Sequence, residues 1–224
     1  MKRIIVICEG QTEQEFCNDV LQSHFNQLHI TIQNPTIKKT GGGIVNWEAL
    51  KHQIETTLKK DQTAYITTLI DFYGIHENHK YPNWLIANQN IDKNVGMDMM
   101  ELGMLNDIDQ TLQNRFIPYI QLHEFEALLF SDIGVFNNNF DPQEFLDYNY
   151  LLETINTYTN PENINDGVET APSKRLSKII KGYYSDNENM KVFYGSILSH
   201  DIGMNKIRTK CPRFNQWISK LEKI

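Results

Sequence analysis

The chain has 224 residues, of which 40% are hydrophobic and 22% are charged, and its formal net charge is −7. This length and apolar content suit one domain with a sizeable core and argue against disorder outside short loops. No stretch reaches the ~18 uncharged apolar residues of a membrane span, and the N-terminal segment MKRIIVI is not a signal peptide. The three cysteines have no metal-binding spacing. We therefore expect a cytoplasmic protein with reduced thiols and no membrane contact.

The charge is unevenly distributed along the chain. Residues 1–171 contain 10 Lys and Arg against 24 Asp and Glu, whereas residues 172–224 contain 11 against 4, so the net charges are −14 and +7. This asymmetry fits ordinary solvated helices, and it equally fits a site that gathers cations and holds phosphates.

The first part of the chain alternates strand and helix patterns. The apolar run at residues 3–8 predicts a buried parallel strand. Residues 12–28 predict a helix, with Thr12 and Glu15 as its capping box. The segment ITIQNPTIKK predicts an irregular or edge strand, because Pro35 interrupts it.

The same alternation continues after a glycine turn, which precedes a helix with Asn46 as its cap. The segment AYITTLID predicts a third strand that ends on Asp71. Residues 72–96 are typical of a loop and residues 97–113 of a helix. The segment FIPYIQLHEFEALLF predicts a fourth strand that turns into a helix near Glu124.

Beyond residue 140 the apolar spacing is helical in several short pieces. The whole pattern predicts an α/β fold, with a mostly parallel central sheet of about four strands flanked by helices. We expect residues 1–140 to form the α/β domain. Residues 141–224 are expected to form a helical, basic C-terminal extension packed on the same core.

Carboxylates end or follow three of the predicted strands. They are Glu9, Glu13, Asp71, Glu124 and Glu126. Ligands of open parallel sheets bind beyond the carboxyl ends of the strands, so we expect these side chains on one rim. Crowded carboxylates require a compensating cation, and hard oxygen ligands favour Mg²⁺ or Mn²⁺ over zinc.

Each acid alone also has a structural explanation. The helix dipole favours an acid such as Glu13 in a first turn, and Asp71 followed by FYG fits a turn. Glu124 and Glu126 lie two positions apart, so only one of them is expected to face a metal. The occurrence of carboxylates at three strand ends of one predicted sheet is what favours a metal site.

Several motifs resemble those of Toprim-like proteins. VICEGQTEQEF, LIDFYGI and HEFEALLF look like the motifs of the Toprim fold, the catalytic module of topoisomerases, primases and overcoming-lysogenization-defect nucleases. The closer resemblance is to a bacterial Toprim-like family, domain of unknown function 4276, often encoded beside an ATPase of the SMC or ABC kind. APSKRL and IGMNKIRTKCPRFNQWI resemble the C-terminal signature of that family, so the resemblance spans nearly the whole chain.

This resemblance implies metal-dependent phosphodiester chemistry. It makes Glu9 and Asp71 the catalytic residues, with Mg²⁺ or Mn²⁺ as the cofactor. Tyr73 stands where Toprim proteins usually carry a second acid, and a tyrosine does not bind Mg²⁺ comparably at neutral pH. The number of bound metal ions, one or two, therefore remains open. Glu13 with Glu124 or Glu126 would supply the negative charge that the second acid usually provides.

The basic tail is expected to hold a nucleic-acid backbone, with DNA as the expected ligand. Its candidate contacts are Lys174, Arg175, Lys178, Arg208, Lys210 and Arg213.

Three functions are compatible with these patterns. The first is a Mg²⁺- or Mn²⁺-dependent nuclease that works with an ATPase partner in defence against foreign DNA. The second is a non-catalytic subunit that regulates that ATPase, a reading that Tyr73 favours. The third is a phosphotransfer or hydrolytic enzyme that acts on small phosphorylated molecules through the acidic rim alone.

Overall fold

The structure is a computed structural model and describes residues 2–38, 43–165, 167, 169–183 and 189–224. Of the glycine turn predicted before Asn46, residues 40–42 lie outside the described residues.

Within the described residues, strands pair in parallel in a single five-stranded sheet. They are β1 (Lys2–Cys8), β2 (Ile30–Gln33), β3 (Tyr65–Asp71), β4 (Phe116–Ile117) and β5 (Ile120–Gln121). Their order is β2-β1-β3-β4, and β5 pairs with β3 beyond β4. The predicted mostly parallel α/β sheet is confirmed.

The helices flank and follow these strands. The α-helices are α1 (Gln11–Phe16), α2 (Gln22–Asn26), α3 (Trp47–Lys60), α4 (Trp84–Gln89), α5 (Lys93–Asp107), α6 (Ile133–Asn139), α7 (Tyr148–Thr157), α8 (Pro172–Ile179), α9 (Asn189–Lys210) and α10 (Pro212–Leu221). A π-helical turn at Cys17–Leu21 joins α1 to α2, and Phe125–Ser131 is a 3₁₀ helix.

Local chemistry explains several of these boundaries. The Asn46 side chain accepts a hydrogen bond from the Ala49 N–H at 2.9 Å, which confirms the predicted cap of α3. Strand β2 lies at the edge of the sheet, as Pro35 predicts, and the Pro35 carbonyl accepts the Cys8 N–H at 2.9 Å.

Other boundaries differ from the sequence prediction. The predicted loop at residues 72–96 contains α4, and α5 begins at Lys93 because the Asp92 carboxylate accepts the N–H groups of Asn94 and Val95. The predicted fourth strand is two short strands, since Pro118 between them has no N–H to donate to a ladder.

The chain divides into two compact units. The first unit is Met1–Leu122 together with Trp217–Ile224, and the second unit is His123–Gln216. The boundary predicted from the sequence, at residue 140, differs from this division.

The first unit is built on one apolar core, to which β1, β3, α3 and α5 contribute. The C-terminal residues of α10 belong to this unit: the Trp217 ring stacks on Tyr119 at 4.3 Å, and its Nε1 donates to Thr67 Oγ1 at 2.8 Å. A hydrogen-bonded, stacked indole of this kind is a strong anchor for a chain end.

The second unit is mainly helical. An antiparallel bridge between Phe145 and Ile180 ties the segment before α7 to the end of α8. Gly203 interrupts α9 with a φ of 73°, a conformation that favours glycine. Across the described part of the whole chain, the helices are all too short or too polar to cross a membrane.

Candidate functional site

Glu9 and Asp71 lie at the carboxyl ends of neighbouring strands in the first unit. Strands β1 and β3 run in parallel with Cys8 opposite Leu69, and the Glu9 N–H donates to the Leu69 carbonyl at 3.0 Å. The Glu9 side chain then reaches across to β3, where its Oε2 accepts the Asp71 N–H at 2.9 Å. The sheet therefore places these two predicted site residues side by side.

Glu13 occupies the turn between Glu9 and α1. It is buried, and its Oε2 accepts the Gly10 N–H at 2.9 Å. The helix begins at Gln11, so the predicted capping box of Thr12 and Glu15 is wrong by two positions. The carboxylate of Glu13 thus fixes the turn that carries Glu9.

The loop after β3 passes beside Glu9, and Gly74 allows its close approach to Ile44. A Cβ on Gly74 would lie 2.9 Å from Ile44 Cγ1 and 3.4 Å from Glu9 Oε1. A Cβ at this position would press on Ile44 and would make ordinary contact with the carboxylate. Tyr73 is partly buried in the same loop.

Tyr81 is a buried residue close enough to Glu9 for the negative charge of that carboxylate to act on its hydroxyl. Within the described residues its hydroxyl has no hydrogen-bond partner, and its ring packs against Trp47 at 5.7 Å. Burial, and then the negative charge of Glu9, raise the pKa of the Tyr81 hydroxyl above its ordinary value.

The donor chemistry of Glu9 and Asp71 fits a hard divalent cation. Among the described residues, no group of three or more His, Cys, Asp and Glu side chains is arranged to hold a metal. Mg²⁺ nevertheless keeps several waters and commonly binds through one or two carboxylates together with substrate phosphates. Two carboxylates at adjacent strand ends are sufficient for that mode.

Glu124 and Glu126 belong to the second unit and have partners there. The two oxygens of Glu124 accept the N–H and the hydroxyl of Ser173, at 2.8 and 3.0 Å, at the start of α8. Burial and the charge of Glu126 raise the pKa of Glu124. Glu126 is buried, and its Oε1 lies 2.6 Å from Lys191 Nζ. Both acids thus have partners inside the second unit.

The six predicted nucleic-acid contacts differ in exposure. Lys174, Lys178 and Lys210 are exposed, and Arg208 is half-buried with its Nε donating to Asn215 Oδ1 at 2.7 Å. Arg175 and Arg213 are buried.

Arg175 is held within the second unit by several partners. Its guanidinium donates to the Thr170 carbonyl at 2.8 Å and lies over the rings of Tyr150 and Tyr158, at 5.3 and 5.2 Å. These contacts leave it little surface to present to a phosphate.

A family model described as a domain of unknown function (DUF4276) matches residues 8–222. The chain belongs to the DUF4276 family. The match includes all of the carboxylates and basic residues discussed above. No curated protein and no solved structure matches the chain.

The sequence analysis of this DUF4276 protein did not single out Glu162. This side chain is fully buried, and its two oxygens accept the N–H groups of Arg213 and Phe214, each at 2.9 Å, at the start of α10. Burial raises the pKa of Glu162 despite these bonds. Its position in the 3₁₀ helix Pro161–Asn163, far from α10 in sequence, gives no local signal for this role.

Proposed function

We propose that this DUF4276 protein is a metal-dependent nuclease of Toprim type that hydrolyses phosphodiester bonds in nucleic acid, with DNA as the expected substrate. The observation that carries the proposal is the arrangement of Glu9 and Asp71. They stand at the carboxyl ends of adjacent parallel strands, and a hydrogen bond joins the carboxylate of one to the backbone of the other. This edge of an open parallel sheet is where ligands bind.

Glu9 and Asp71 would hold Mg²⁺ or Mn²⁺. When bound, such a cation polarises a phosphoryl oxygen and makes hydroxide available near neutral pH. The chain itself provides rigid positioning. The Asp71 N–H fixes Oε2 of Glu9, and Gly74 lies beside Oε1. Sites carried on strands with locked side chains keep their geometry better than sites on loops.

The exposed lysines of the second unit are the proposed contacts to the nucleic-acid backbone. Lys174, Lys178 and Lys210 carry charge at the surface and suit sequence-independent phosphate binding. Glu124, Glu126 and Arg175 are left out of the proposed chemistry, because each has other partners in its own unit.

The proposal also includes a partner ATPase of the SMC or ABC kind, a cytoplasmic location and a role in defence against foreign DNA. They rest on the Toprim-like motifs of the sequence and on the neighbourhood of genes that the resemblance implies.

A second candidate is a non-catalytic subunit that keeps the fold and regulates such an ATPase. Tyr73 favours it, because the loop after β3 offers a phenol where a Toprim enzyme has a metal-binding acid. In this candidate, substitutions of Glu9 and Asp71 that remove charge would leave partner binding unchanged.

The test is cleavage of supercoiled plasmid by the purified full-length chain in Mn²⁺, in Mg²⁺ and in EDTA. The variants are Glu9→Gln and Asp71→Asn, and the control is Glu48→Gln, at an exposed acid in the first turn of α3. We expect the wild type and the control to nick the plasmid only with metal. Both site variants should fold normally by thermal melting and lose the cleavage.

Metal-dependent nicking that survives in both site variants would contradict the proposed site. Absence of nicking by the wild type, with binding to a purified ATPase retained in all variants, would favour the regulatory subunit.

A further inference from the structure

The second unit contains a cavity with aromatic walls. Its volume is about 410 Å³, and its lining residues are Asn137, Phe140, Pro142, Phe145 and Tyr148. We call it the aromatic cavity. The nuclease proposal does not use this cavity, which lies on the end of α6 and the segment that leads into α7.

The walls of the aromatic cavity hold one another in place. Phe145 packs edge to face against Phe140 at 5.7 Å and against Tyr148 at 5.1 Å. The Tyr148 hydroxyl lies 3.0 Å from Asn137 Oδ1, in a hydrogen bond. The cavity therefore presents fixed aromatic rings, whose faces are electron-rich, together with a polar amide.

The chain segment that forms the aromatic cavity is rich in acids. Residues 116–173 contain ten Asp and Glu and neither Lys nor Arg. Three of these acids, Asp141, Glu144 and Asp147, alternate in sequence with the lining residues, and Asp141 and Asp147 are exposed.

The charge of Glu144 reaches the same aromatic cluster. It adds to burial in raising the pKa of Tyr194, whose ring lies 5.4 Å from Phe140. Among the described residues, Lys181 is a cation beside these acids, and its backbone N–H donates to the Glu144 carbonyl at 2.9 Å. The three acids outnumber it, so the surroundings favour a cationic ligand and disfavour a phosphate.

The second unit already binds one guanidinium in this manner. Arg175 lies over two tyrosine rings of α7 and its C-terminal cap, Tyr150 and Tyr158, and donates to a carbonyl. This arrangement is an internal example of an arginine held by aromatic faces in an acid-rich unit. Arginine suits such sites better than lysine, because its planar group stacks on rings while its N–H groups remain available for hydrogen bonds.

We propose that the aromatic cavity binds an arginine side chain of a protein partner. The guanidinium stacks on the rings of Phe145 and Tyr148, and the acids that alternate with the lining residues in sequence balance its charge. Leu146, which is 60% exposed between them in sequence, provides apolar surface for the aliphatic stem of the arginine. This inference is independent of the proposed nuclease activity, since it concerns partner binding at residues outside the metal site.

The experiment measures binding of an acetylated hexa-arginine peptide to the full-length protein by calorimetry at physiological salt, with hexa-lysine and a single-stranded oligonucleotide as comparisons. The test variants are Phe145→Leu, which removes a ring and keeps apolar bulk, and Asp141→Asn. Their matched controls are Phe193→Leu, at a 51%-exposed ring outside the lining, and Glu153→Gln, at an exposed acid of α7.

We expect hexa-arginine to bind more tightly than hexa-lysine. Each test variant should weaken hexa-arginine binding about fivefold, the size of one cation–π contact or of one nearby acid's charge. The controls should bind like the wild type. Asp141→Asn keeps the test decisive if Phe145→Leu does not fold, because position 141 is exposed.

Three results would overturn the proposal. One is no binding of hexa-arginine by the wild type. Another is equal weakening in Asp141→Asn and Glu153→Gln, which would indicate diffuse attraction by the acidic segment. The third is oligonucleotide binding that Phe145→Leu abolishes, which would assign the cavity to a nucleobase.

Discussion

Replacing Arg175 with methionine tests whether this arginine stabilises the fold or serves nucleic-acid binding. Methionine keeps an unbranched apolar chain and removes the guanidinium. The variant loses the hydrogen bonds to the Thr170 carbonyl at 2.8 Å, to Thr154 Oγ1 at 3.2 Å and to the Tyr158 hydroxyl at 3.4 Å. It also loses two ring contacts, and it leaves the buried Thr154 hydroxyl without this donor.

These losses set the expected magnitude. The short bond from a charged donor contributes about 1.5 kcal/mol, and the longer bonds contribute less. The two cation–π contacts contribute about 0.5 kcal/mol each at the low end of their range. Because the methionine avoids the cost of burying a charge, we expect the free energy of unfolding to fall by about 2 kcal/mol in total.

The assay is urea denaturation followed by far-UV circular dichroism. Trp47, Trp84 and Trp217 all lie in the first unit, so the helical signal reports on the second unit better than tryptophan fluorescence does. The matched control is Lys174→Met at the exposed neighbouring position, for which we expect a change within about 0.5 kcal/mol. Equal stability of the two variants, with DNA affinity reduced only in Arg175→Met, would refute this reasoning.

Three other sets of substitutions test further parts of the structure. Tyr81→Phe removes a buried hydroxyl without a described partner, so the urea midpoint should rise by the equivalent of about 1 kcal/mol; a lower midpoint would contradict this. Burial raises the folded-state pKa of Glu162, so the folded state binds this proton more tightly than the unfolded state does, and the stability contributed by Glu162 should fall as pH rises above the ordinary value of 4.5. The urea midpoint of Glu162→Gln, measured over a pH series, should lack that decline. Identical pH profiles for the wild type and Glu162→Gln would contradict this prediction. Replacing Lys174, Lys178 and Lys210 together with glutamine should weaken DNA binding and reduce its salt-dependence slope by about 3; an unchanged slope would remove them from the interface.

The sheet and the position of Glu9 and Asp71 were predictable because their signals are local. A β-branched apolar run followed by an acid marks a buried strand and its carboxyl end, and Asn46 marks the start of α3 by its side chain alone. The start of α1 was misplaced because Glu13 also caps the turn, through the Gly10 N–H, and both spacings occur in the sequence.

The remaining features depend on residues distant in sequence. A basic residue of α8 has the same sequence signature whether it faces solvent, as Lys174 does, or the tyrosines of α7 and its C-terminal cap, as Arg175 does. Glu124 is bonded by Ser173 and Glu162 by backbone groups of α10, about fifty positions away in each case. Such pairings arise from packing within the second unit, which no local pattern records.

The measurement that tests the central claim most directly is Mn²⁺ binding to the full-length protein by isothermal titration calorimetry. It compares the wild type with Glu9→Gln, Asp71→Asn and the exposed control Glu48→Gln, and it requires neither a substrate nor a partner. The account predicts saturable binding by the wild type and the control, and binding at least about tenfold weaker in each site variant, the equivalent of 1.4 kcal/mol. Equal affinity in all four proteins would contradict the assignment of a metal site to Glu9 and Asp71.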